Sequence, residues 1–182
     1  MNRRISSLIG LCLMTATVVF GAHPYQVTQV NGKVTLKQAD GSVMVDGQPA
    51  KLNSAVSSGS TVTTAKGSSA VVSLGKLGRV EVMPSSIMKL EYGNTGGATA
   101  MLSQGRVRVS SSSGVSATVK TGDAEIISNP SRASRFTVDV SCGDTLVSVQ
   151  SGRVELRAGN SVKQIAAGGQ DTAGTAQPGC KR

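Results

Sequence analysis

Residues 103–114 of this 182-residue chain have the sequence SQGRVRVSSSSG, and Gly105 to Val109 at its centre form a motif that occurs four times. Each copy has a glycine, a basic residue, a valine, a variable residue and then valine or leucine. Apolar and polar residues that alternate are typical of a strand with one buried face, and glycine permits a tight turn. The motif therefore predicts short strands that begin at glycines. The other copies are Gly32-Lys33-Val34-Thr35-Leu36, Gly78-Arg79-Val80-Glu81-Val82 and Gly152-Arg153-Val154-Glu155-Leu156.

The rest of the chain favours the same fold class. It contains 22 glycines, no tryptophan, two tyrosines and two phenylalanines. No segment keeps a helical period, and turn residues separate short Val-rich runs. The sequence predicts an all-β fold, either a β-sandwich or a short β-solenoid-like module. We expect strands at Thr61–Thr63, Ala70–Leu74, Gly78–Met83, Met88–Tyr92, Ala98–Leu102, Val107–Ser110, Ala117–Lys120, Glu125–Ile127, Phe136–Val140, Leu146–Val149, Val154–Leu156 and Val162–Ile165.

The spacing of the motif indicates a duplication. The steps from Gly32 to Gly78 and from Gly105 to Gly152 span 46 and 47 residues. Similar Thr-Val and Val-Ser runs also precede Gly78 and Gly152. These likenesses predict two duplicated β units, with the Gly78 copy matched to the Gly152 copy.

The first 22 residues are typical of a secretory signal peptide. Basic Arg3 and Arg4 precede an apolar run that ends at Phe20, with small residues after it. We expect cleavage after Gly21 or Ala22, and retention of the segment as an anchor is the alternative. Loss of the segment lowers the formal net charge from +9 to +7. The predicted organisation is a signal peptide at 1–22, a β domain at 23–168 and a flexible tail at 169–182.

Two cysteines remain after cleavage, Cys142 and Cys180. In an oxidising compartment, two cysteines favour one disulfide, which would tie the tail to the body of the domain. Two free thiols are the alternative. A metal site is less favoured, because no other ligand cluster accompanies either cysteine.

The order of these motifs resembles the FecR-like domain family. The likeness covers about residues 27–170 and departs from the family at Thr121-Gly122, where the family usually has Thr-Pro. The resemblance implies the extracytoplasmic β module, without the anti-sigma segment or membrane span of the full regulators. The matching residues are Val30 to Val34, Gly59 to Thr64, Ala70 to Leu74, Gly78 to Val82, Pro84 to Leu90, Leu102 to Val107, Val119 to Gly122, Phe136 to Val140, Thr145 to Val149, Gly152 to Val154 and Ile165 to Gly168.

The candidate catalytic groups do not form a recognisable set. The one histidine, His23, lies beside the predicted cleavage site, and no nucleophile motif or phosphate-binding glycine loop is present. The acids at 123, 125, 139 and 144 lie close in sequence but have no fixed spacing, so a carboxylate pair or a calcium site stays an alternative. We expect no catalytic residue, no cofactor and no metal.

The isoelectric point near 10 raises the question of an anionic partner. Export and the scarcity of aromatic residues argue against nucleic acid. Lipopolysaccharide, a cell-wall polysaccharide or the anionic membrane surface is the better candidate. The third motif copy carries Arg108 where two others carry glutamate, so Arg106, Arg108, Arg132 and Arg135 are the predicted anion-binding patch. Dispersed solubilising charges are the alternative.

These observations favour an exported, non-enzymatic binding or sensing module that acts by protein–protein contacts in the periplasm or cell envelope. Exposed strand edges would accept a partner strand. A binder of anionic envelope polymers and a structural envelope protein are the alternatives.

Overall fold

The computed structural model describes residues 35–93 and 97–180, and the regular secondary structure within these ranges is almost entirely β-strand. The predicted all-β fold class is confirmed. A 3₁₀ turn at Gly75–Leu77 interrupts the strands. The strands are β1 (Thr35–Asp40), β2 (Val43–Val45), β3 (Gln48–Pro49), β4 (Thr61–Thr64), β5 (Ser69–Ser73), β6 (Gly78–Val82), β7 (Ile87–Tyr92), β8 (Ala98–Ser111), β9 (Ala117–Lys120), β10 (Glu125–Ser128), β11 (Ser134–Ser141), β12 (Asp144–Ser151), β13 (Arg153–Ala158), β14 (Ser161–Ala166) and β15 (Gln170–Gly174).

The predicted signal peptide, His23 and the start of the first motif copy lie outside the described residues. In the described part of the chain, no helix is long and apolar enough to cross a membrane.

The strands form one open sheet, not a closed barrel, which is folded into two layers. Layer A has the order β1-β5-β6-β8-β11-β12-β15, and layer B has the order β3-β2-β4-β7-β8-β9-β10-β13-β14. The β8–β9 ladder is parallel, and the other ladders between the described strands are antiparallel. Two layers are a feature of a sandwich, whereas strands that follow one another in near-sequence order are a feature of a solenoid.

Side chains from both layers fill one core. Val107 and Val109 of layer A and Met88 and Leu90 of layer B are at most 1% exposed and belong to the same apolar cluster. Burial of each such side chain stabilises the fold by about 1.5–3 kcal/mol. The intervening residues face solvent, as the alternation predicts.

Strand β8 belongs to both layers because it turns a corner at Gly105. Its first half pairs with β7 and β9 in layer B, and its second half pairs with β6 and β11 in layer A. The sequence predicted two strands here, with Gly105 at the start of the second. The structure has one strand, because the Oγ of Ser86 accepts a hydrogen bond from the Arg106 backbone N–H at 2.9 Å and donates one to the Arg106 carbonyl at 3.1 Å.

Gly105 is required at this corner for two reasons. Its φ is +86°, and a Cβ at this position would lie 2.6 Å from the Cα of Ser86. Any side chain would therefore meet backbone atoms as well as a strained conformation. Gly105 thus marks a change of layer rather than the start of a strand.

The layers allow an alignment of the repeat that differs from the predicted one. Strand β7 and the first half of β8 lie in layer B, and the second half of β8 lies in layer A. The strands about 47 residues later have the reverse arrangement, with β11 and β12 in layer A and β13 in layer B. In this alignment Gly105 corresponds to Gly152, which also has positive φ and packs on a serine, Ser134. Gly78 has positive φ and approaches Ser110 as well, so the match of Gly78 with Gly152 stays a prediction.

The C-terminal segment is partly built into layer A. Residues 170–174, which the composition assigned to a flexible tail, form β15 and pair with β12. A disulfide then joins Cys142, at the β11–β12 turn, to Cys180. Small residues such as Ala173, which is 5% exposed, allow this segment to pack closely at the sheet edge.

Candidate functional site

The outer face of layer A carries Arg106 and Arg108, the two central residues of the predicted anion patch. Arg106 Nε donates a hydrogen bond to Asp139 Oδ2 at 2.7 Å, and Asp139 lies opposite it on β11. Arg108 Nη1 lies 2.9 Å from Glu81 Oε2, and Glu81 lies opposite it on β6. Each arginine is therefore paired with a carboxylate of an adjacent strand, and Glu81 also pairs with Arg79 at 3.3 Å. The order of residues along the chain could not identify these cross-strand partners.

Asp139 is the more buried of these two acids. Its side chain is 6% exposed, whereas that of Glu81 is 22% exposed. The second oxygen of Asp139 accepts a hydrogen bond from Ser141 Oγ at 2.6 Å. The Arg106–Asp139 pair is thus a structural link between β8 and β11 with its carboxylate fully satisfied.

The other two residues of the predicted patch, Arg132 and Arg135, do not take part in the ion pairs of Arg106 and Arg108. Both are exposed, and neither forms an ion pair with another described residue. Arg135 lies opposite Ser110 of β8, on the outer face of layer A. Arg132 lies in the β10–β11 connection, at the end of the molecule where β13 begins.

Arg132 lines a cavity together with Arg153, the basic residue of the fourth motif copy. The cavity has a volume of about 230 Å³ and is lined by Asn129, Ser131, Arg132, Gly152 and Arg153. None of these lining residues is an acid. The structure therefore brings Arg132 together with an arginine that was not among the predicted site residues.

Arg153 was missed because the sequence places Glu155 two residues away on the same strand face. In the structure, Glu155 forms an ion pair with Arg157 and accepts a hydrogen bond from Gln164 Nε2 at 2.7 Å. Arg153 has no ion pair among the described residues. The alternating pattern could show that Arg153 faces outward, but not which cation Glu155 binds.

A second, wider depression lies beside the Gly105 corner. It has a volume of about 1270 Å³, and Lys66, Gln104, Arg106, Asp139 and Gln177 are among the residues that line it. The Cys142–Cys180 disulfide forms part of its wall. Arg106 is already paired with Asp139, so Lys66 is the one cation lining this depression without an ion pair among the described residues, whereas the smaller cavity has two.

The four acids singled out as a carboxylate or calcium alternative are not gathered into a site. Asp139 binds Arg106, and Glu125 binds Lys120 at 3.2 Å. Within residues 35–93 and 97–180, no group of three or more His, Cys, Asp or Glu side chains is arranged to hold a metal ion.

Comparison with protein families gives a match at residues 60–155, to the family described as FecR protein. The matched stretch covers more than half of the chain and runs from β4 into β13, so it includes all of β8. The chain belongs to the FecR family. The resemblance inferred from the motif order is thereby confirmed.

Solved structures show the same fold. Two crystal structures of a proposed anti-sigma factor from Parabacteroides distasonis, at 1.65 and 2.50 Å resolution, match with a TM-score of 0.54 each. They are 16% and 17% identical to this FecR-family chain, and the match covers 64% of it and 59% of the crystallised protein. The chain therefore matches less than two thirds of the length of that protein. No curated protein matched the chain.

Proposed function

We propose that this FecR-family chain is an exported, non-enzymatic regulatory module that acts through protein–protein contacts in the periplasm or cell envelope. The family match at residues 60–155 carries this proposal, because it spans both layers of the domain. The Cys142–Cys180 disulfide supports an oxidising compartment outside the cytoplasm. The similarity of fold to a proposed anti-sigma factor supports a regulatory role.

The contact strand in this proposal is β14, at the edge of layer B. It pairs with β13 on one side, and no described strand pairs with its other side. Five of its six residues are exposed, and the Val162 side chain is 61% exposed. An edge strand with free backbone groups and an exposed apolar side chain is suited to accept a strand from a partner protein.

A salt bridge links this edge strand to layer A. Lys163 Nζ lies 2.9 Å from Asp171 Oδ2 on β15, so the salt bridge connects the edge strand of layer B to the edge strand of layer A. The ladder with β13, which runs from Ser161 to Ala166, holds the edge as a formed strand, and this lowers the ordering cost for a partner.

A photo-crosslinking residue placed at Val162 in living cells tests this contact. Met44, which is 42% exposed on β2, is the control, because it is an exposed apolar residue whose strand is paired on both sides, with β3 and with β4. We expect one envelope protein to be crosslinked from Val162 and not from Met44. Val162→Lys should then lower recovery of that protein about tenfold or more, because charge on an edge strand blocks strand addition. Equal yields from the two positions, or no protein product, would contradict the proposed contact.

Export is tested separately. Cell fractionation with intact mass measurement should recover a chain that lacks the first 21 or 22 residues outside the cytoplasm. A full-length chain that stays in the cytoplasmic fraction would exclude export.

A further inference from the structure

Arg132 and Arg153 both line the same small cavity, and neither forms an ion pair with another described residue. Their guanidinium groups have no carboxylate partner among the described residues, and the cavity between them is lined otherwise by Asn129, Ser131 and Gly152. Two like charges that share a site without an acid repel each other, so an anion bound between them would be stabilised by both. The remaining lining side chains supply an amide and a hydroxyl, which are further hydrogen-bond donors.

Hydrogen bonds fix the two segments that carry these arginines. The backbone N–H of Asn129 donates to the Arg153 carbonyl at 2.9 Å, which joins the β10–β11 connection to the start of β13. The backbone N–H of Ser131 donates to Asn129 Oδ1 at 2.9 Å, which closes the turn just before Arg132. The backbone segments that carry the two arginines are therefore joined at one corner, which lowers the entropy that the backbone loses on binding.

Gly152 brings the corner close to the adjacent strand. Its φ is +79°, and a Cβ there would lie 2.8 Å from the Cβ of Ser134 and 2.9 Å from the Ala133 carbonyl oxygen. A residue larger than glycine would push Arg153 away from the β10–β11 connection. The cavity thus depends on the same kind of close approach as the Gly105 corner.

We propose that Arg132 and Arg153 form a binding site for one phosphate monoester group, or for free phosphate. The guanidinium fork matches the geometry of phosphate oxygens, and two arginines match its charge of about −1.5 to −2 near neutral pH. A carboxylate would leave one positive charge unmatched. The cavity of about 230 Å³ has room for the anion with several waters, each of which takes about 30 Å³. This site does not depend on the proposed protein contact at β14.

Two further cations lie at the same end of the domain but outside the cavity. Arg135 lies opposite Ser151, next to Gly152, and Lys76 lies in the 3₁₀ turn, neither with an ion pair among the described residues. Their field raises the local concentration of any anion without selecting phosphate. They provide a control of equal charge for the two arginines that line the cavity.

Titration of the protein with inorganic phosphate, followed by backbone amide NMR shifts, tests the site. We expect shifts centred on Ser131 to Arg132 and Gly152 to Arg153. The double variant Arg132→Gln/Arg153→Gln should weaken binding about tenfold or more, whereas Lys76→Gln/Arg135→Gln should weaken it less than about threefold. An unchanged urea midpoint in both variants confirms that they are folded. Equal weakening in the two variants, or no shifts with millimolar phosphate, would overturn the proposal.

Two further experiments measure the pH dependence of phosphate binding and identify the source of the phosphate. Binding should weaken several-fold between about pH 7.5 and pH 5, because phosphate takes up a proton over this range and loses part of its negative charge. Binding that is equal at the two pH values would also overturn a site that selects the dianion.

Retention by phosphatidic acid vesicles, but not by phosphatidylcholine vesicles, identifies a lipid headgroup as the source of the phosphate, and binding of free phosphate alone identifies a soluble source. The crosslinking at Val162 is unaffected by either result.

Discussion

Replacement of Gly105 by alanine would measure how strongly the corner in β8 stabilises the two layers. Two costs add at this position. The φ of +86° disfavours any residue with a Cβ by about 1–2 kcal/mol. The new Cβ would also lie 2.6 Å from both the Ser85 carbonyl oxygen and the Cα of Ser86, and overpacking of this kind costs about 1–3 kcal/mol. We expect Gly105→Ala to lower the free energy of unfolding by about 2–5 kcal/mol.

Gly114→Ala is the matched control. Gly114 has nearly the same backbone conformation, with φ +83°, but no atom lies within 4 Å of its added Cβ. Its cost should therefore be limited to the backbone term of about 1–2 kcal/mol. Urea unfolding followed by circular dichroism gives both values, since the midpoint shift multiplied by the m value is the change in stability.

Gly152→Ala extends the comparison. Two of the three atoms that its Cβ would meet belong to the Ser134 side chain, so Ser134→Gly should recover part of the lost stability. At Gly105 the corresponding Ser86→Gly should recover little, because a backbone carbonyl and a Cα remain in place. If Gly105→Ala and Gly114→Ala proved equally costly, the close approach at Ser86 would contribute nothing to stability.

Three other predictions concern covalent and charged links. Cys180→Ser should lower the free energy of unfolding by about 3–4 kcal/mol, measured in urea against the oxidised wild type, since the disulfide closes a 38-residue separation; an equal midpoint would contradict this. Arg106→Met should cost about 1–3 kcal/mol because Asp139 is left charged and buried, and the added change Asp139→Asn should restore part of it, which a double-mutant cycle measures. The hydrogen bond from Lys163 lowers the pKa of Asp171. The stabilisation by the Asp171 carboxylate is therefore complete above its ordinary pKa of about 3.9 and is lost as pH falls through the lower pKa of the folded state. Asp171→Asn should be less stable than wild type at neutral pH, and the difference in stability between the two proteins should disappear in acid titrations.

Alternation along the chain predicted the strands and their buried faces well. Met88 and Leu90 are fully buried, whereas Lys89 between them and Glu91 after them form a surface pair at 2.8 Å. This works because the side-chain period of a strand is local and depends only on the backbone pleat. The continuity of β8 through Gly105 was not predicted, because glycine is equally suited to end a strand and to bend one.

The candidate site was harder to predict because charge pairing depends on strand register. Glu81 lies 27 residues before Arg108, and Asp139 lies 33 residues after Arg106, yet both acids lie directly opposite their arginines. Spacing along the chain does not report which residues face one another across a ladder. Arg153 has an acid two residues away, Glu155, but that carboxylate binds Arg157 of the same strand and Gln164 across the ladder.

The shared strand has a consequence for how the domain unfolds. Because β8 gives hydrogen bonds to β7 in layer B and to β6 and β11 in layer A, neither layer can detach while the other stays intact. Amide protons in both layers should then exchange with solvent through the same global opening, with equal protection at the slowest sites. A domain built this way responds to force or to a bound partner as one cooperative unit, and not as two independent sheets.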